Sequence, residues 1–232
     1  MIGSQTALAS LAPRISPGVM AADRTLVVHP ALTTLYPHGL TRGGTVACHG
    51  NAATSMAVLL VAGAVDAGAW VGVAGVPTLG VQACREAGMS VERMVTVREP
   101  TVGSFDDTVW GQVLATLIDG FEIVVFGAAT HVRPGTARRL QARLQARGAV
   151  VVLVGSAGSF SCDQHLATDT EWHGLGDGHG HLRERRIHLA LDGRRLQRPR
   201  RDSLWYPGPN GAIERVTEQV DGATAAPLRR TG

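Results

Sequence analysis

Gly50 closes a short apolar run, Thr45 to Cys48, and stands where a phosphate-binding loop would open. Such a loop reads G-x-x-x-x-G-K-[ST]. Its backbone amides cradle the phosphates, the second glycine lets them approach, the lysine offsets their charge and the hydroxyl holds Mg²⁺. Counted from Gly50, the second glycine is Ser55, the lysine is Met56 and the hydroxyl position is Ala57. Methionine neither carries charge nor donates a hydrogen bond, and alanine cannot ligate a metal. A helix N-terminus still attracts anions through its unpaired amides, so weak phosphate or sulfate affinity at Ala53 to Ser55 stays open. Saturable, Mg²⁺-dependent binding or hydrolysis of ATP is not expected.

The carboxylates that would complete such a site are missing as well. A metal-holding Asp or Glu should follow the buried run Ile123 to Phe126, and Gly127 stands there. A general-base glutamate should follow "WVGVAG", and that position falls near Val76. Asp119 and Glu122 precede the strand, at the end of the sheet away from where ligands collect in open α/β folds. The expectation is a chain with no catalytic residue, no cofactor and no metal.

Three other groupings carry potential chemistry. His165, His173, His179, His181 and His188 fall close together, but around the glycines of "HGLGDGHGH" they read as loop or structural histidines before metal ligands. Ser156, Ser159, Ser161 and Cys162 lack a G-x-S-x-G elbow. Arg183, Arg185, Arg186, Arg194, Arg195, Arg198, Arg200 and Arg201 form the sharpest signal, followed at once by Trp205 and Tyr206. A run of this kind fits single-stranded nucleic acid, an acidic protein surface or a solvated hairpin face, and charge alone does not choose among them. Aromatic residues for base stacking are sparse there, while Trp, Tyr and Arg are favoured interface anchors.

The remaining composition sets the frame for these residues. All 22 basic side chains are arginine, and they are unevenly placed. Residues 1–122 carry 6 arginines against 9 carboxylates, and residues 123–232 carry 16 against 10. The positive field belongs to the second half. Three cysteines without C-x-x-C spacing argue against a disulfide framework and a zinc site and point to a reducing cytosol. The opening residues lack the continuous apolar core of a signal peptide. The greasy stretch 56–83 is broken by Asp66, Pro77 and several glycines, so no membrane span is expected.

The elements that position these residues alternate. Helices are expected from an N-cap at Thr54 or Ser55 to Gly68, across "LGVQACREAGM", across "DDTVWGQVLATLIDG" and across "RPGTARRLQARLQARG". Between them lie the short apolar strands "AWVGVAG", "ERMVTVREP", ending at Pro100, "FEIVVFG" and "AVVVLVG". Such alternation implies right-handed crossovers and a mostly parallel sheet flanked by helices. "QHLATDTEWHGL" and "LRERRIHLALDG", joined by "GDGHG", predict an antiparallel hairpin at the C-terminal end, with "RDSLWYPGPNGAI" supplying one more strand. The expected organisation is an N-terminal arm over 1–25, a core over 26–213 and a disordered tail over 214–232.

In this order the parts resemble the ATPase core of RecA over about residues 29 to 213. "GTVACHGNAATSMAVLL" is similar to its strand, phosphate loop and helix, and "AWVGVAGVPTLGVQACREAGMSVERMVTVREP" to the strand, helix and strand that follow. "DGFEIVVFG" is similar to its Walker B strand, and "ERRIHLALDGRRLQRPRRDSLWYPGPNGAI" to its closing hairpin and final strand. Within that superfamily, "WHGLGDGHGHLRERR" and "RPRRDSLWYPGPNG" resemble the ImuA group of RecA-like mutagenesis proteins in its actinobacterial form, ImuA-prime. The resemblance implies a non-catalytic accessory factor of damage-induced translesion synthesis in the SOS response. It implies ImuB as partner, an error-prone replicative-type polymerase reached indirectly, and a cytoplasmic protein that joins the nucleoid during DNA damage. RecA and single-stranded DNA remain open as further contacts. Two other readings stand beside it, a P-loop ATPase with an atypical loop and a stand-alone single-stranded DNA-binding protein.

Overall fold

The computed structural model describes residues 24–176, 179–194 and 196–216. Two short strands, β1 (Thr25–Leu26) and β2 (Leu40–Thr41), pair with each other beside the main sheet. Then β3 (Thr45–Gly50), α1 (Ala53–Asp66), β4 (Val71–Ala74), α2 (Val81–Glu86), β5 (Met94–Val97), α3 (Asp107–Gly120), β6 (Ile123–Phe126), α4 (Pro134–Arg147) and β7 (Val150–Val154) alternate. The chain ends in β8 (Gln164–Gly176), β9 (His179–Gly193), β10 (Arg200–Trp205) and β11 (Glu214–Arg215). The main sheet has nine strands in the order β11-β10-β9-β8-β3-β7-β6-β4-β5. Pairing is parallel from β8 to β5 and antiparallel from β8 to β11. This is the mixed α/β architecture expected, a mostly parallel sheet flanked by helices with antiparallel strands at the C-terminal end.

Local chemistry accounts for most of the boundaries. β4 and β6 are buried at every residue, because a parallel strand covered on both faces needs a continuous apolar run. The Asp106 side chain caps α3 by accepting from Val109 N at 2.9 Å, and Asp107 sits in the first turn, where the helix dipole favours it. α4 begins on Pro134 and stops at Gly148 in the left-handed conformation, φ 68°. The sheet separates two apolar cores. One joins α1 and α2 to the lower parts of β8, β9 and β10; the other joins α3 and α4 to β6 and β7.

α1 departs from expectation. It starts at Ala53 with Ala52 as its N-cap, so Thr54 and Ser55 lie inside the first turn and do not cap it. The cap residue finds its partner across the sheet, where the Thr168 hydroxyl accepts from Ala52 N at 3.0 Å. The helix is buried on most of its circumference, and Gly63 rests so closely on the chain before β2 that a Cβ would lie 2.5 Å from the Val28 carbonyl carbon.

Ordered pairing continues to Val216, whose N–H donates to Ser203 O at 2.9 Å, slightly past residue 213. Residues 1–23 of the expected arm, 217–232 of the expected tail and Arg195 lie outside the described residues. Among the described residues no helix is long and apolar enough to cross a membrane.

Candidate functional site

The region above Gly50 is built as a sealed turn. Gly50 takes φ 99°, and a Cβ there would overlap the carbonyl oxygen of Thr168 on β8. Only Asn51 and Ala52 separate β3 from α1, whereas a phosphate loop arches through four residues between its two glycines. Here Ala53 and Thr54, which fill part of that interval, are already helical. β8 stitches the turn down. Thr168 Oγ1 accepts from Ala52 N and donates to His49 O at 3.0 Å, and Asn51 Nδ2 donates to Asp169 Oδ1 at 3.2 Å. Met56 and Ala57, at the lysine and hydroxyl positions, are both fully buried in the core.

The carboxylate position is closed by backbone. A Cβ on Gly127 would overlap the carbonyl oxygen of Gly75, so no side chain of any kind fits there. Asp119 and Glu122 have other roles. Glu122 Oε2 accepts from Trp70 N at 2.9 Å and fixes the entry to β4. Asp119 joins α3 to α4 through ion pairs with Arg143 and Arg147. The Arg143 hydrogen bond first, then that of Arg147, holds the Asp119 carboxyl below its ordinary range against the opposing effect of burial.

The arginine run does not form one face. β9 pairs with β8 so that Arg185 lies opposite Trp172 and Arg186 opposite Glu171. Arg185 turns toward α1, donating from Nη2 to Ser55 Oγ at 3.1 Å and from Nε to Tyr206 O at 2.7 Å. Its guanidinium lies 5.2 Å from the ring centres of both Trp172 and Tyr206, a cation held between two aromatic faces. Burial lowers the Arg185 pKa from its ordinary value. Arg186 is half-buried and lies opposite Trp205 of β10, whose ring meets His173 edge-on at 5.3 Å. Arg200 donates to Leu35 O at 2.6 Å, and Arg194 donates to Ser161 Oγ at 2.5 Å. Arg183, Arg198 and Arg201 are exposed.

Histidines and serines serve local structure. His188 shares a hydrogen bond with Ser203 at 3.0 Å and lies 3.5 Å from a Glu171 oxygen. His49 meets His165 edge-on at 6.3 Å, and burial, then the charge of His165, lowers the His49 pKa. His181 is exposed, and the His179 side chain lies outside what is described. Among the described residues no group of three or more side chains could hold a metal ion. Ser156 Oγ accepts from Gly158 N at 3.2 Å, and burial pushes the Cys162 thiol up to about 11.

Two features escaped the sequence reading. The Thr168 stitch joins residues 116 apart, and the Trp172–Arg185–Tyr206 sandwich exists only once β8, β9 and β10 are in register. The one available signal was the position of Trp172 and Arg185 on two facing arms of a hairpin.

The model of the MT3502 N-terminal domain family matches residues 34–158, more than half of the chain. No curated protein matches the sequence. Among solved structures, the crystal structure of the RadB recombinase aligns with a TM-score of 0.58 at 14% identity, covering 82% of this chain and 98% of that one. At this identity the likeness is one of fold, and the fold is RecA-like.

Proposed function

For a chain that belongs to the MT3502 N-terminal domain family and has a RecA-like fold, we propose a non-catalytic role as an interaction module. In this reading it is an ImuA-prime protein, an accessory factor of a damage-induced translesion synthesis assembly, in contact with ImuB and, through ImuB, with an error-prone polymerase. The observation that carries the proposal is the sealed turn. Asn51 and Ala52 leave no arch for a phosphate, Met56 and Ala57 are core residues, and the Gly75 backbone occupies the carboxylate space at Gly127. Restoring nucleotide chemistry would require rebuilding the backbone and not merely exchanging side chains. What the fold still offers is surface, and the exposed Arg183, Arg198 and Arg201 on and between its C-terminal strands give that part of it positive charge.

The test is a pull-down of ImuB by the full chain, alongside a variant with Arg183, Arg198 and Arg201 changed to Glu. Wild type should retain ImuB and the variant should release it. Retention by both would remove the arginines from the interface, and retention by neither would remove ImuB as partner. An equilibrium ATP titration in Mg²⁺ addresses the ATPase reading, and saturable binding would sink the non-catalytic one.

A further inference from the structure

We propose that the vestigial phosphate loop roots a protein-docking platform whose anchor is Trp172, with a carboxylate-bearing segment of the partner protein as occupant. This rests on the reading of the chain as a non-catalytic interaction module, and it assigns the degenerate loop a purpose there.

Trp172 is 50% exposed, a large apolar ring standing on the part of β8 that rises beyond the last residue of β3. Hairpin overhangs of this kind are ordinarily mobile, because only their own ladder holds them. This one is tied to the domain through Arg185. Its guanidinium packs against Trp172, packs against Tyr206, and reaches the Ser55 hydroxyl in the first turn of α1 and the Tyr206 carbonyl. A phosphate bound above that turn would compete for the same hydroxyl. With the loop given over to Arg185, the arm has a fixed point on the rigid core.

The consequence is an anchor that loses little freedom on binding. Ordering a side chain at an interface costs rotamer freedom, and a ring already held by a guanidinium has little of it left to lose. Trp, Tyr and Arg are the residue types that dominate interface energetics, and this cluster is composed of those three. The exposed Arg183 on the same arm complements carboxylates on a partner. Single-stranded nucleic acid fits less well. Stacking platforms need successive open rings, whereas Tyr206 is partly covered by Arg185 and Trp205 is engaged with His173.

The experiment titrates purified ImuB, and separately a fluorescein-labelled oligo-dT, against the full chain and its variants Trp172→Ala, Arg185→Lys, Arg185→Ala and Ser55→Ala. Melting curves and hydrogen exchange over β8 accompany each variant. Trp172→Ala should weaken ImuB more than about tenfold with an unchanged melting curve. Both Arg185 variants should weaken it severalfold and speed exchange around Trp172, since lysine keeps the charge but not the planar, forked contact. Unchanged ImuB affinity in Trp172→Ala would overturn the inference while leaving the partner in place. Absence of ImuB binding by wild type would overturn both readings. Oligo-dT binding that depends on Trp172 while ImuB binding does not would reassign the platform to nucleic acid and also overturn the inference. Faster exchange in the Arg185 variants with full ImuB affinity would reduce Arg185 to a structural tie, again against the proposal.

Discussion

Gly127 packs its Cα against the carbonyl of Gly75, at the ends of neighbouring parallel strands, with no space for a Cβ between them. The position where a metal-holding carboxylate would stand is therefore occupied by the main chain itself. Gly127→Asp should lower stability by more than about 3 kcal/mol, since overpacking against backbone combines with a poorly solvated charge. Urea unfolding measures it. A variant as stable as wild type would show that the two strands can separate and that the site is less closed than described.

Met56→Lys is the complementary experiment at the loop. Met56 is fully buried among the side chains of the α1 core, so an ammonium placed there has no carboxylate to meet. The expected cost is about 3–5 kcal/mol, the range for an uncompensated buried charge, with no gain in ATP affinity by equilibrium titration. Retained stability together with new nucleotide binding would mean that the first turn of α1 can rotate outward.

Much of this architecture was readable from residue order. The apolar runs of β4, β6 and β7 and the Gly148 stop are local signals, and the structure places them where the sequence does, whereas Asp106, expected in the first turn of α3, stands before it as the cap. The start of α1 was misplaced because its polar partner is Thr168, a residue that no local pattern links to Ala52. The arginines were legible as charge but not as positions. Whether Arg185 faces Ser55 or solvent depends on strand register, and the irregularity between His173 and Leu175 hides that register from a one-dimensional reading. Likewise, the missing carboxylate at Gly127 was visible in the sequence, whereas the missing room for one was not.

Thr168 supports the turn from the opposite strand. Thr168→Val keeps shape but removes the oxygen that accepts from Ala52 N and donates to His49 O. Leaving a buried amide unpaired should cost about 1–3 kcal/mol. Chemical denaturation gives the magnitude, and faster hydrogen exchange at Ala52 gives the location. A change under about 0.5 kcal/mol would mean that water replaces the hydroxyl.

The Asp119 pairs predict an acid-side dependence of stability. Because the folded-state pKa is depressed, their contribution is present above the unfolded carboxyl value and is lost as pH falls through the lower folded value. Asp119→Asn should therefore melt below wild type near neutral pH, with the gap closing as pH falls below the ordinary carboxylate range. Melting curves across that range test the sign. A gap that widened in acid would contradict it.

The stitch between the turn and β8 also sets an order of assembly. Thr45 N donates to the carboxylate of Asp163, 118 residues later, and both sheet neighbours of β3, β7 and β8, come from that distant part of the chain. At roughly 5–20 residues per second on the ribosome, β3 waits on the order of ten seconds for its partners to emerge. Its buried face and the apolar circumference of α1 must be shielded meanwhile. The middle of the finished sheet thus cannot close until β7 and β8 have emerged, and the period before closure is when the nascent protein most needs a chaperone.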